Sequence, residues 1–330
     1  MSSVLVTGGA GFLGAHVAQE LVSRGHDVVV LDDLSGGLAE QVPRGARFVR
    51  GSVVDDGLVE GLFREARFEV VYHLAAYAAE GLSPFIRRFN YTNNVIGSMT
   101  VLNACLRHDV RRLVFTSSIA VYGAGELPLR ESTTPRPEDP YGIAKYAVEL
   151  DLAAATRQHG LEHAIFRPHN VYGELQSMRD RYRNVVGIFL NQVLRGEPLT
   201  VFGDGRQTRA FTYVRDLVPT IADGGFAEAA RNRVMNVGGD AHSTVLELAE
   251  TLREVTGSRV EIRHLPARHE VAHAWADHAL VRELLGAKLD ATPLREGLAR
   301  TWAWAKQAGP QPTPPFSAIE VERGLPPSWR

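Results

Sequence analysis

Val4-Leu5-Val6-Thr7-Gly8-Gly9-Ala10-Gly11-Phe12-Leu13-Gly14 is the stretch on which the fold turns. A short apolar run ends in a turn with glycines at 8, 11 and 14, and helical periodicity follows over Gly11–Arg24. The glycines have separate jobs. Gly8 permits the tight turn, Gly11 lets the backbone approach a pyrophosphate, and Gly14 lets the helix pack closely on the strand. Amides at such a helix N-terminus bind phosphate without any side-chain cation. Gly8, Gly11, Phe12 and Leu13 are therefore candidate cofactor contacts. A glycine-rich helix start without a ligand has the same local pattern. The strand before it, the helix it opens and the strand beyond favour a dinucleotide.

Outward from this turn, short β-branched runs alternate with longer helical patterns. The strands predicted are Val4–Thr7, Asp27–Leu31, Arg47–Val49, Val70–Leu74, Arg112–Thr116 and His163–Arg167. Helices are predicted at Gly11–Arg24, Asp55–Ala66, Phe85–His108 and Tyr141–His159. Nearly all-apolar strands alternating with helices predict an α/β fold, a Rossmann-like, doubly wound parallel sheet covered on both faces. After Arg167 the rhythm breaks. A helix is predicted at Asn184–Arg195, a strand-helix unit at Phe211–Ala222, a strand at Val234–Val237, a helix at Thr244–Thr256 and a strand at Val260–His264. The division expected is a nucleotide-binding domain of 1–168 plus about 211–242, with a smaller C-terminal α/β substrate lobe of 169–210 plus about 243–330. The lobe would cover the sheet's carboxyl edge, where open α/β sheets bind ligands.

The chain has 330 residues, a net charge of -2, 45% hydrophobic and 22% charged residues, which suits an ordinary globular protein with a large core. Its charge gives no sign of a nucleic-acid or anionic-membrane surface. One cysteine, Cys105, excludes a disulfide framework and a cysteine metal cluster. No apolar run approaches the ~20 residues of a membrane helix, and no signal peptide is evident, so a reducing cytoplasm is the expected location. Gly309-Pro310-Gln311-Pro312-Thr313-Pro314-Pro315 reads as a loop or an extended arm.

Asp32 ends the second strand 18 residues after Gly14. A carboxylate there accepts hydrogen bonds from adenosine ribose hydroxyls and repels a 2′-phosphate, which predicts NAD rather than NADP. Asp33 adds negative charge or caps the turn Asp33-Leu34-Ser35-Gly36, from which Ser35 and Gly36 are further candidates. Ser52 and Val53 follow the third strand, where they could flank an adenine. Leu74, Ala75 and Ala76 end the fourth strand in small residues suited to a ribose or nicotinamide. Val53 and Ala75 could equally be core.

About 130 residues beyond the glycines stands Tyr141-x-x-x-Lys145. Residues four apart share a helix face. A free tyrosine, pKa ~10, is a poor base at neutral pH. A nearby ammonium and a positive nicotinamide favour the phenolate and bring it toward working pH. Pro140 pre-organises the helix start. Thr116-Ser117-Ser118 ends a strand, so Ser118 can hydrogen-bond beside the reacting oxygen and Thr116 joins the cofactor candidates. Asn94 could hold a water or backbone group near Lys145, or be a polar surface position. Alone, Tyr-x-x-x-Lys is common by chance. The glycine turn upstream and the strand-end serine give it meaning.

This set of motifs resembles the extended short-chain dehydrogenase/reductase superfamily. Within it the chain is similar to the NAD-dependent nucleotide-sugar epimerase/dehydratase family, most of all its UDP-glucose (UDP-galactose) 4-epimerases. The likeness runs through Thr7–Gly14, His73–Ala76, Thr116–Gly123, Pro140–Lys145, Arg167–Gly173, Phe202–Asp216 and Arg268–Asp277, nearly the whole length. It implies NAD as cofactor, Ser118, Tyr141 and Lys145 as catalytic residues, and a nucleotide-diphosphate sugar, UDP-linked, as substrate. Asn170, Asn184, Val185 and Val186 would contact the diphosphate, Phe202 the base, and Arg209 and Arg268 the diphosphate charge. Without the family, each arginine would read as a surface or structural ion pair. Tyr77, Ala79 and Glu80 fall where the sugar should sit. Ala274 falls where a bulky residue can restrict the sugar pocket, and a small one there hints at room for an N-acetyl group. The chain departs from the family pattern at Ala78, where a lysine is frequent, at Glu80, and in a shorter Arg268-His269-Glu270-Val271.

Family dehydratases and decarboxylases usually carry an acid directly after the active-site Ser/Thr; here Ile119 follows Ser118. The resemblance therefore implies C4 epimerisation through a transient 4-keto sugar. A 4,6-dehydratase or uronate decarboxylase is the enzymatic alternative, and a non-catalytic nucleotide-binding protein the other. His269 and His273 have a metal-pair spacing, but no carboxylate completes a set, and no metal is expected. By analogy the helices Phe85–His108 and Tyr141–His159 would form a homodimer's four-helix bundle.

Overall fold

The computed structural model describes residues 1–268, 270–289 and 291–329. Its centre is a seven-stranded parallel sheet. In chain order the strands are β1 (Ser3–Thr7), β2 (Asp27–Asp32), β3 (Arg47–Arg50), β4 (Val70–His73), β5 (Arg112–Thr116), β6 (Glu162–Pro168) and a last strand, Arg233–Val237. Across the sheet they run β3, β2, β1, β4, β5, β6 and the last strand. The order reverses between β1 and β4, which opens a crevice at their carboxyl ends.

The period of two along each strand decides what each face meets. Val4 and Val6 of β1 face Val17 and Leu21 of α1 (Phe12–Ser23) and Leu217 and Ile221 of the helix Val214–Asp223. Leu5, between them, faces the opposite layer. That layer holds α2 (Asp56–Glu65), α4 (Gly97–Arg107) and α5 (Pro140–His159), through Leu62, Leu102 and Leu152. Both faces are buried, so the strands needed apolar residues throughout.

The predicted helix Phe85–His108 is broken. A 3₁₀ turn at Glu80–Phe85 precedes α3 (Arg87–Tyr91), a π turn at Thr92–Ile96, and then α4. Asn90 and Asn94, four apart across this junction, both point inward, each 1% exposed. A π turn shifts the register beyond it by one residue, too small a change for apolar periodicity to single out. Beyond β6, Phe189, Leu199, Val201, Leu248 and Leu298 form a separate core. It is flanked by the pair Leu199–Phe202 with Ile262–Leu265 and by a small three-stranded sheet. The predicted strand near Phe211 forms as Thr212–Tyr213, but it pairs with Val171–Tyr172 and not with the main sheet. Among the described residues, no helix is long and apolar enough to cross a membrane.

Candidate active site

The turn after β1 borders a cavity of about 1290 Å³ at the carboxyl end of the sheet. Gly8 has φ of 71°, and a Cβ there would lie 2.7 Å from the Ala75 amide nitrogen. A Cβ on Gly14 would lie 2.0 Å from the Gly8 carbonyl. Neither position admits a side chain. A Cβ on Gly11 would meet only the Gly8 carbonyl, at 3.2 Å, and otherwise open space, which leaves its backbone approachable. Asp32, 8% exposed, accepts from the N–H groups of Ala10 at 3.0 Å and Leu34 at 2.8 Å. Burial raises its pKa, and these amides oppose the rise. Asp33 accepts from the Ser35 N–H at 2.8 Å and so caps its turn. Phe12, Leu13, Gly36, Ser52, Val53, Leu74, Ala75 and Ala76 line the same cavity. This glycine cradle with a buried carboxylate across from it fits a dinucleotide.

Asp139 begins α5 by accepting from the N–H groups of Tyr141 (2.8 Å) and Gly142 (3.0 Å). A Cβ on Gly142 would lie 2.5 Å from the Ala120 carbonyl, so glycine lets α5 close on the loop that holds Ser118. Ser118 Oγ accepts from the Ala120 N–H at 3.1 Å. Lys145 Nζ donates to the Thr116 carbonyl at 2.8 Å, 4.7 Å from the centre of the Phe115 ring and 5.8 Å from that of Tyr141. Burial brings the Lys145 ammonium down to about 7, against the opposing charge of Glu149. Glu149 is itself buried between Ser117 and Arg167.

The lowering expected for the Tyr141 phenol has two sources, a nearby ammonium and a positive nicotinamide. In the protein's own field the reverse holds. Burial pushes that phenol up; a hydrogen bond with Ser118 opposes this, and the charges of Glu80 and Asp139 add to it. Among the chain's own groups, Ser118 and the charge of Arg183 pull the other way, and burial outweighs them.

The structure places all but three of the predicted site residues on this cavity, Thr116, Tyr77, Asn170, Asn184, Val185, Phe202, Arg209 and Arg268 among them. The exceptions are Asn94, Val186 and Ala79, which is 1% exposed and packs with Leu82 and Ile86. Asn94 spends its amide on the loop after β4: Oδ1 accepts from the Tyr77 N–H at 2.9 Å, and Nδ2 donates to the Tyr77 carbonyl at 3.1 Å. It holds a backbone group, as one reading allowed, but that group belongs to Tyr77. Val186, 1% exposed, sits within the lobe core, while Val185, one residue earlier on the same helix, is only partly buried against that core and also borders the cavity. His269 lies outside the described residues.

Glu80 is open to the cavity. The surrounding protein and the charge of Asp139 raise its pKa from 4.5 to about 7, while Arg209 and Arg268 pull it down. Arg209 donates to the carbonyls of Thr208, Ala272 and Val271 at 2.9, 3.1 and 2.6 Å. Burial lowers its pKa, and Glu270 counters. Sequence reasoning missed Glu270, which pairs with Arg268 at 3.1 Å and with Arg209 at 3.6 Å. It also missed Arg183, whose guanidinium lies over the Tyr77 ring at 4.8 Å and pairs with Asp180 at 2.8 Å. Neither carries a local motif. Their signal is spatial.

A nucleotide cradle at the switch point of a parallel sheet and a buried tyrosine-lysine pair on one cavity define a Rossmann-type oxidoreductase-like enzyme. The sequence comparisons sharpen this. Residues 4–238 match the NAD dependent epimerase/dehydratase family. The UDP-glucose 4-epimerase of Streptomyces lividans is 37% identical over 319 residues, 91% of this chain and 95% of its own. The Thermotoga maritima UDP-glucose 4-epimerase, solved with UDP-glucose, superposes with a TM-score of 0.88 at 34% identity, covering 93% of this chain and 99% of that one. The Thermus thermophilus UDP-glucose 4-epimerase, solved with NAD, gives 0.87 at 33% identity over the same shares. The chain belongs to the NAD dependent epimerase/dehydratase family.

Proposed function

We infer that this protein is an NAD-dependent nucleotide-sugar 4-epimerase acting on a UDP-linked hexose. One observation carries the reading: the glycine cradle and the Tyr141–Lys145 pair open onto one cavity, beside a serine followed by Ile119 and not by an acid. The similar enzymes solved with UDP-glucose and with NAD support it. NAD would be held by Gly8, Gly11, Phe12, Leu13, Asp32, Asp33, Ser35, Gly36, Ser52, Val53 and Leu74–Ala76. Bound NAD supplies a reversible hydride acceptor and a positive ring that favours phenolate.

The chain's own residues move the proton. Tyr141 Oη takes the proton of the sugar C4 hydroxyl and later returns it. Ser118 hydrogen-bonds beside that oxygen, and Lys145 lends positive charge behind it. Arg209 and Arg268 neutralise the diphosphate, with Asn170, Asn184 and Val185 beside it and Phe202 against the base. In this reading 1–168 plus about 211–242 serve NAD, and 169–210 plus about 243–330 serve the sugar nucleotide. Ala274, small and on the cavity wall, supports tolerance of an N-acetyl substituent.

Glu80 favours one second reading. A 4,6-dehydratase needs another acid at the sugar, and Glu80 is an accessible carboxylate near Tyr141. Incubation with UDP-glucose, UDP-galactose, their N-acetylamino analogues and UDP-glucuronate, with NMR of the products, decides. A C4 epimer of unchanged mass and no net consumption of NAD are expected. Loss of water or carbon dioxide sinks the epimerase reading.

A homodimer in the cytoplasm completes the proposal. Ile96, and Ile143 and Leu150 two turns apart on α5, are exposed apolar residues suited to a partner copy. Light scattering that gives a monomer mass would reject it.

A further inference from the structure

Residues 309–329 follow the helix Leu294–Ala308 and run along the cavity mouth, without helix or strand until a closing 3₁₀ turn at Pro327–Trp329. Among the contacts that hold this arm, three span its length, beside backbone bonds from Glu320 and Val321 to the Phe85 carbonyl. Gln311 exchanges two hydrogen bonds with Asn191 of the helix Val185–Arg195, both 2.9 Å. The Phe316 N–H donates to Tyr182 Oη at 2.9 Å, and its ring lies 5.0 Å from Phe89 and 5.5 Å from Tyr77. The Glu320 carboxylate accepts from the N–H groups of Arg88 (2.7 Å) and Phe89 (2.8 Å), at the start of α3. The arm therefore ties the substrate lobe to the nucleotide-binding half.

It ends on Trp329, 4% exposed, whose ring meets those of Tyr182 at 5.2 Å and Phe202 at 6.1 Å edge-on. The Arg268 guanidinium lies over both Phe202, at 4.4 Å, and Trp329, at 5.4 Å. A Cβ on Gly81, beside Glu80, would come within 3.2 Å of Trp329 and 3.5 Å of Arg268 Nη1. Arginine on a loop has many rotamers, and its planar fork binds a diphosphate well only when oriented. Two aromatic faces fix that plane and are attracted to its charge. A cation fixed beforehand loses less entropy on binding.

We propose that Trp329 is a positioning residue for the nucleotide sugar: the C-terminal arm carries it to the cavity, where it and Phe202 clamp Arg268 for the diphosphate. This rests on the reading of Arg268 as a diphosphate ligand. The test uses the full chain, UDP as probe, and the variants Trp329→Ala, Trp329→Phe, Arg268→Ala and the Trp329→Ala/Arg268→Ala double variant. Calorimetry gives UDP affinity, and steady-state rates give KM and kcat for whichever UDP-sugar is turned over. W329A should weaken UDP binding and raise KM about tenfold, with kcat within about twofold and bound NAD unchanged. W329F should recover most of the affinity. In the R268A background, W329A should add less than about twofold. Unchanged UDP affinity in W329A, or a full additive loss in the double variant, overturns the proposal. Should W329A fail to fold, Glu320→Gln loosens the arm without altering a cavity-lining residue. It should weaken UDP binding in the same direction, and an arm made protease-sensitive with UDP affinity intact overturns the proposal. A wild-type chain that binds no UDP at all overturns the reading of the cavity itself, which a defect confined to the variants does not.

Discussion

Each tip of strand β5 meets a buried cation, and the two tips are built oppositely. At its amino end Arg112 is fully buried, and its donors are matched. Nε and Nη2 reach Glu162 at 2.9 and 2.8 Å, and Nη1 reaches the carbonyls of Gly224 and Ala227 at 3.2 and 2.6 Å. At its carboxyl end the Thr116 carbonyl takes one hydrogen bond from Lys145, 2% exposed, whose pKa falls to about 7. Similar burial produces a staple in one place and a poised group in the other. The difference is pairing. A buried charge with full partners holds structure, and one with partial compensation stays responsive to what enters the site.

Four experiments would break or sharpen this contrast. Tyr141→Phe should cut kcat about 10³-fold while UDP affinity stays within about twofold, because a general acid/base is lost and the pocket is kept. Turnover that survives in this variant removes chemistry from the carboxyl end. Arg112→Ala should destabilise the fold by about 3 kcal/mol, since it removes a fully buried guanidinium and leaves the Gly224 and Ala227 carbonyls without their donor, while Glu162 keeps only its longer contacts to Arg111 and Arg231. Urea unfolding measures that, and KM should not move. Lys145→Met should lose about 10²-fold in kcat yet keep or gain thermal stability, the opposite of Arg112. A large drop in Tm would mean that Lys145 is a staple too.

Glu80→Gln should have the smallest effect. Its pKa rises from 4.5 to about 7 on folding, so between those values the folded state keeps a proton that the unfolded chain has lost. Stability then falls as pH rises through that window and levels off above it. The variant should flatten the slope of Tm against pH between about 4.5 and 7. It should also move the pH at which Tyr141 works as a base slightly downward, because Glu80 repels the phenolate. An unchanged Tm slope would place Glu80 outside that field.

The glycine turn and Tyr141–Lys145 were legible in the chain because local rules govern them: only glycine fits where a Cβ would lie 2.0 Å from a carbonyl, and residues four apart share a helix face. The strand-helix rhythm was legible for the same reason, since both faces of each strand had to be apolar. Asn94 was visible as a polar residue in a helix, but its job was not, because its partner Tyr77 is 17 positions away on another segment.

By itself the sequence determined the parallel α/β core, the glycine turn after its first strand and the Tyr141–Lys145 pair on one helix face, all encoded in spacings of a few residues. Tertiary structure alone decided the π turn that aims Asn94 at Tyr77, the Glu270 link between Arg209 and Arg268, and the return of Trp329 to the cavity. Those depend on distance through space between residues as far apart along the chain as Gly81 and Trp329, and no local period or propensity records such a contact.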